Sequence, residues 1–304
     1  MTTGTLITVV PTGGQSRKAA VPALPVDLAD LIVTAQECEA LGASVITVHA
    51  RDEAGEPSLS LDLLRPIVRE LGAATDLIVQ LATTTTTTGA GGEPAADQLW
   101  VLDAGPEMAS CPLGSPIHPA LHDRMRDAGI VAGYEVTERG QLATLARLLD
   151  ERGLPAGGRV HVTLLMGGPT LPTGGPTLPT GGPTPLAGGP TPLAGGPALL
   201  AGGAGMPGTA AELVACQAMI ADLPPGTSFS AAGAGTATLP VMLAALSTGG
   251  HLRVGMADTT TWSQRQPVDS NMQLVARAVS FAQLAQRPPL TTKEAREVLG
   301  VPAR

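Results

Sequence analysis

The sequence predicts an α/β fold, a (β/α)8 TIM-type barrel interrupted by one low-complexity insertion. Three observations predict it. Short apolar or β-branched runs alternate with helical stretches through eight repeats, the pattern of βα units around a parallel sheet. A seven-residue repeat fills 167–208, and with five of its six units set aside, 35 residues, the remaining 269 suit one barrel of about 250. Glycine and polar residues gather just after the apolar runs, where such a fold carries its function. A doubly wound open sheet is the alternative arrangement of the same elements. Residues 1–304 are therefore read as a single domain.

In chain order, the candidate strands are Leu6–Val10, Ser44–His49, Leu77–Ala82, Glu107–Ser110, Val131–Val136, Val160–Met166, Thr227–Ala231 and Leu252–Met256. Helical patterns fill the gaps at Asp27–Leu41, Leu61–Leu71, Arg139–Arg152, Ala210–Ala221, Pro240–Ser247 and Met272–Gln286. The strand ends bring up Pro11-Thr12-Gly13-Gly14, His49-Ala50-Arg51-Asp52, Ala82-Thr83, Ser110-Cys111, Glu135-Val136 and Gly255-Met256-Ala257-Asp258. Glycine after a strand lets a ligand approach backbone N–H groups, which suits an anionic substrate.

The insertion reads GGPTLPT, GGPTLPT, GGPTPLA, GGPTPLA, GGPALLA, GGAGMPG. Its Gly-Gly-Pro starts remove helix propensity and backbone donors, so the heptad period does not mean a coiled coil. Collagen needs glycine at every third position, and this is not that. The expectation is a flexible loop after the sixth strand. A second tract, Thr83 to Thr88, reads as a strand entering a loop.

Composition narrows the function. With 43% apolar residues there is a core, and with 2% aromatics it is built of Ala, Leu and Val. Eighteen Lys plus Arg against 26 Asp plus Glu give a net charge of −8, which argues against nucleic acid as a partner. Cys38, Cys111 and Cys216 are far apart and odd in number, which suits a reducing cytoplasm. No leader pattern and no membrane-length apolar run is found, so a cytoplasmic protein without a membrane partner is expected.

Among single residues, His118 and His122 have a spacing that could bind metal on a helix, with Pro119 between them. His161 and His251 lie at strand starts, away from the chemistry. Glu135, Arg253 and Asp258 could form a buried charge network closing the barrel, and Arg51 could pair with Asp52.

With these segments in line, the sequence resembles the β-keto acid cleavage enzyme family, whose founding activity is 3-keto-5-aminohexanoate cleavage. The matching blocks are ITVVPTGG at 7–14, ALGASVITVHARDEAGEPS at 40–58, PEMAS at 106–110, 135–140, HVTLLMGG at 161–168, GGHLRVGMAD at 249–258, SNMQLVARAV at 270–279 and EAREVLGV at 294–301. The resemblance implies a cytoplasmic, homo-oligomeric TIM-barrel transferase with a place in lysine degradation. It would exchange acyl groups between a β-keto acid and acetyl-CoA as co-substrate, giving acetoacetate and a new acyl-CoA. In the family zinc polarises the keto acid while arginine, aspartate and glutamate position groups and move protons. Here that implies Arg253 as substrate anchor, Asp258 and Glu135 in proton transfer, and Thr12, Gly13, Arg51, Thr83 and Ser110 in substrate binding.

The metal positions depart from the pattern. The family's H-x-H-x-R-[DE] is Thr47-Val48-His49-Ala50-Arg51-Asp52, and the glutamate of its G-x-E-D is Ala257, which leaves His49 alone as metal ligand. The family's S-T-G-G turn is Ala82-Thr83-Thr84-Thr85, and Gln15 and Pro112 replace other polar positions. A catalytically silent barrel that keeps ligand binding or a structural role is therefore the rival reading. A metal-independent lyase using Cys111 or the threonine tract is a third.

Overall fold

The computed structural model describes residues 4–14, 16–84, 98–167, 206–263 and 266–304. Eight parallel strands close into a barrel in sequence order: β1 (Ile7–Val9), β2 (Val45–Val48), β3 (Ile78–Leu81), β4 (Met108–Pro112), β5 (Val131–Val136), β6 (His161–Met166), β7 (Ser228–Gly233) and β8 (His251–Val254). The open-sheet alternative is thereby excluded, because β1 pairs with both β2 and β8. The helices are α1 (Leu28–Leu41), α2 (Leu61–Ala74), α3 (His118–Asp127), α4 (Gln141–Arg152), α5 (Ala210–Ile220), α6 (Thr238–Ser247), α7 (Asn271–Leu284) and α8 (Thr292–Leu299). A two-stranded hairpin, β9 (Thr261–Ser263) with β10 (Gln266–Pro267), follows β8. Between β3 and β4 the described chain forms only a 3-10 segment, Gln98–Ala104.

Local chemistry sets the helix starts. Asp27 accepts from Asp30 N at 2.8 Å, Thr209 from Glu212 N at 3.2 Å and Ser270 from Gln273 N at 3.3 Å, each taking up an orphan amide of a first turn. Thr291 and Glu294 form a reciprocal capping box on α8. Neither α3 nor α8 stood among the helical patterns of the sequence. Both are short, and α3 is strongly polar, so little apolar periodicity marks it.

The strands divide the core into two. Ile7, Ile46, Val79, Ala109, Tyr134, Leu164 and Leu252 face outward into the large cluster shared with the helices. Leu6, Val45, Ile78, Met108 and Val131 face inward and meet Leu290, Ala295, Leu299 and Val301, so α8 plugs the N-terminal end of the barrel. Above that plug the inner wall is polar. Strand pairing puts Thr8, Thr47, Gln80, Ser110, His161, Thr163, Ser230, His251 and Arg253 on the inward face, all buried. Gln80 reaches across toward β5, where a Cβ on Gly133 would lie 3.0 Å from its Nε2, so a larger residue there would require the Gln80 amide to shift by a few tenths of an ångström.

Most of the heptad repeat, 168–205, and Thr85–Thr88 lie outside the described residues, as does Gln15. The flanks of the repeat are described, and they meet. Met166 bridges Met206, and Gly167 N donates to Met206 O at 2.9 Å.

Candidate functional site

The C-terminal rim of the barrel brings together residues from β1, β2, β5 and β8. At the end of β1, Gly13 adopts a positive φ of 63°, and a Cβ there would sit 2.9 Å from both Cα and Cβ of Ala257. Only glycine satisfies both conditions. At the end of β8, Gly255 has φ 148° and its Cβ would fall on Val10 O, so the 255–258 turn lies directly against β1. Ala257 N donates to Val10 O at 3.2 Å and completes that contact.

The charged centre is Arg253. Its Nε and Nη2 donate to the two oxygens of Asp258, both at 3.3 Å, and its Nη1 donates to Glu135 Oε1 at 3.0 Å. The side chains of Arg253 and Asp258 are 7% and 2% exposed, and that of Glu135 14%. One guanidinium therefore faces two carboxylates in a dry setting. Burial raises both carboxyl pKa values above their ordinary range, against the opposing pull of Arg253. Burial therefore favours the neutral form of each carboxyl more than in an exposed carboxylate. A buried charge network at 135, 253 and 258 is thus present, and it occupies the mouth.

His49 follows β2. Its Nδ1 is buried without a partner among the described residues. Burial, followed by the charges of Arg253 and Arg51, lowers its pKa to about 3, so the imidazole is neutral. Thr12 Oγ1 donates to His49 O at 3.2 Å. Arg51, 6% exposed, donates to Gly13 O and Gly55 O, both at 2.7 Å, and its Nε has no partner among the described residues. The expected Arg51–Asp52 pair is not formed. Asp52 instead accepts from Ala54 N and Glu56 N, because a short side chain beside a turn reaches those amides first.

Thr83 and Ser110 are buried and bonded to each other: Thr83 N donates to Ser110 Oγ at 3.1 Å, and Thr83 Oγ1 to Ser110 O at 3.0 Å. Cys111 faces outward beside Tyr134, fully buried, and burial pushes its thiol up to about 12, so it is no nucleophile. His122 bonds Tyr134 Oη at 2.8 Å beneath α3 and His118 bonds Ser115 O at 2.8 Å, so that pair makes no metal site. His161 and His251 sit inside the barrel at the opposite end. His161 bonds Ser228 and Ser230, and His251 Nδ1 accepts from Leu6 N.

The donors do not fit the zinc ion that the family pattern implies. Thr47 offers a neutral hydroxyl and Ala257 a methyl group, and His49 is the one good ligand of the three positions. Among the described residues no group of three His, Cys, Asp or Glu is placed to hold a metal.

Reading the site from sequence missed Gln80, Thr8 and Thr163 on the inner wall. A signal was available: a strand covered on both faces reads as continuously apolar, so polar residues at every second position mark the barrel interior.

Comparison with known proteins agrees with this architecture. The family model described as beta-keto acid cleavage enzyme matches residues 5–180 and 197–301. A 3-keto-5-aminohexanoate cleavage enzyme of Acetoanaerobium sticklandii is 25% identical over 310 residues, 97% of this chain and 98% of that one. A 3-oxoadipate:acetyl-CoA acetyltransferase of Cupriavidus necator is 22% identical over 313 residues, 100% of this chain and 97% of that one. Among solved structures, apo ObcA shares the fold with a TM-score of 0.67 at 16% identity, covering 92% of this chain and 66% of its own. The family model spans most of the chain and the fold agrees with it, and the chain belongs to the beta-keto acid cleavage enzyme family.

Proposed function

We propose that this chain exchanges acyl groups between a β-keto acid and acetyl-CoA, releasing acetoacetate and a new acyl-CoA. The observation that carries the reading is the Glu135–Arg253–Asp258 network at the C-terminal rim of a barrel of this family. Arg253 uses three of its five N–H groups on the two carboxylates, which leaves one on Nη1 and one on Nη2 for a substrate carboxylate. Glu135, the more exposed carboxyl, is the group that takes and returns a proton, and Asp258 fixes the plane of the guanidinium. Thr12, Gly13 and Arg51 shape the wall between β1 and β2 against which the substrate rests, and Thr83 and Ser110 hold the wall at β3 and β4. No step is routed through a metal, since the donors at 47, 49 and 257 do not fit one.

Relatives named for 3-keto-5-aminohexanoate and 3-oxoadipate support small keto acids as the substrate class, and a cytoplasmic setting with a place in lysine degradation is proposed with it. No described helix is long and apolar enough to cross a membrane. Homo-oligomerisation is supported by Val214 on α5 and Leu239 and Leu243 on α6, exposed by 51%, 38% and 50% on two neighbouring helices of high apolar content.

The test is acetoacetate release from a panel of β-keto acids with acetyl-CoA. The expected result is CoA-dependent product with at least one acid, lowered about 100-fold or more by Arg253→Lys, which keeps the charge and loses the fork. Turnover unchanged by that substitution overturns the role of Arg253. The residues Thr47 and Ala257 favour a second reading, binding without turnover. It predicts saturable binding of acetyl-CoA with no product across the same panel.

A further inference from the structure

We infer that this chain has become a zinc-free member of its family, with its metal scaffold intact except at residues 47 and 257. The inference goes beyond the proposed reaction and stands whether or not the chain turns over.

The donors come first. A catalytic zinc site takes three protein ligands, and this mouth supplies one imidazole, one neutral hydroxyl and one methyl group at the corresponding positions.

The scaffold around the missing ligands is nonetheless preserved. Thr12 holds the His49 carbonyl, Arg51 holds the Gly13 carbonyl, and Gly13 lies against Ala257, so positions 49 and 257 flank the same short turn after β1. Thr47 points into the barrel one inward step below His49, as its pairing with Gln80 shows. The buried, unpartnered Nδ1 of His49 is the remaining trace: a polar atom withdrawn from water without a replacement among the described residues.

The experiment measures zinc in the full-length, untagged chain by elemental analysis after dialysis against a zinc-containing buffer, beside the double variant Thr47→His/Ala257→Glu. The parent is expected to retain well under a tenth of the zinc held by the variant, and the variant about one equivalent. Adding His49→Ala to the double variant should lower zinc affinity about 10-fold or more. Stoichiometric zinc in the parent, lost on His49→Ala, overturns the inference. A double variant that folds, as judged by circular dichroism, yet stays empty also overturns it, because the scaffold would then not be intact. If the double variant does not fold, Ala257→Glu alone decides. His49 together with the introduced carboxylate should bind zinc about 10-fold or more tightly than the parent does, and equal affinity overturns the inference.

Discussion

The two ends of the barrel carry two ion clusters of opposite make-up. At the N-terminal end one carboxylate, Glu107, meets two arginines: Arg296 Nη1 at 2.7 Å and Arg304 Nη2 at 2.8 Å, with Val79 N at 3.2 Å as a further donor. At the C-terminal rim one arginine, Arg253, meets two carboxylates. Hydrogen bonds from the arginines and Val79 outweigh burial and hold the Glu107 carboxyl below its ordinary range, whereas burial lifts Glu135 and Asp258 above theirs. The first arrangement is a clamp made of settled charges. It ties the C-terminal residues to the end of α2 and the start of β3, since Arg304 also donates to the Gly72, Thr75 and Leu77 carbonyls. The second holds two carboxyls whose neutral forms burial favours. An excess of donors fixes the charge of its carboxylate, whereas an excess of buried acceptors leaves two carboxyls competing for one cation.

The largest effect that tests this contrast is Arg253→Ala. Removing the cation leaves two buried carboxylates uncompensated and should destabilise the fold by about 3–5 kcal/mol in urea titration. Full stability after that change would mean the carboxylates are protonated in the parent.

Acid is the next lever. His161 and His251 have pKa values lowered by burial to about 3 and about 4, from 6.5. They are neutral in the folded chain, so their contribution is complete above pH 6.5 and is lost as pH falls from there toward 4. The unfolded chain then binds up to one more proton at each of these rings, a slope of about 1.4 kcal/mol per pH unit for each histidine, and His49, also lowered to about 3, adds to it. His251→Gln should reduce that slope by about one histidine's share in urea titrations between about pH 6.5 and 4.5. A flat profile in the parent would show that these rings titrate normally.

A pair of isosteric changes sharpens the comparison. Glu107→Gln should cost about 1–3 kcal/mol while leaving turnover per folded molecule unchanged. The depressed Glu107 pKa means this contribution is present above the unfolded value of 4.5 and fades as pH falls below it. Glu135→Gln should have the reverse profile, losing activity about 100-fold with little change in stability, because its raised pKa makes the charged form unfavourable where it sits. If Glu135→Gln destabilises as much as Glu107→Gln, both ends are clamps.

The smallest effect belongs to the repeat. Cutting it from six heptads to one should change unfolding free energy by about 1 kcal/mol or less, because closure entropy varies slowly with loop length. Loss of folding on that cut would give the heptads a structural role.

Much of this was legible in the sequence. All eight strands fall within two residues of the expected bounds, because apolar β-branched runs between helical patterns leave few alternatives. Arg253, Glu135 and Asp258 were legible as a set through the family's motifs, and geometry adds that they bind one another. What sequence could not supply was the local competition for hydrogen bonds. Arg51 turns to carbonyls rather than to Asp52, and Thr83 and Ser110 satisfy each other, outcomes decided by small differences in distance. The hairpin Thr261–Pro267 also escaped notice, since its residues are partly exposed and no apolar alternation marks it.

The joined flanks at Met166 and Met206 have a consequence for what this barrel can carry. The chain leaves β6 and returns at neighbouring backbone positions, so a segment joining them need span only about one strand spacing, about 4.8 Å. This makes the position a port. A folded guest whose termini lie that close together is expected to be accepted there in place of the heptads, beside the C-terminal rim of the barrel.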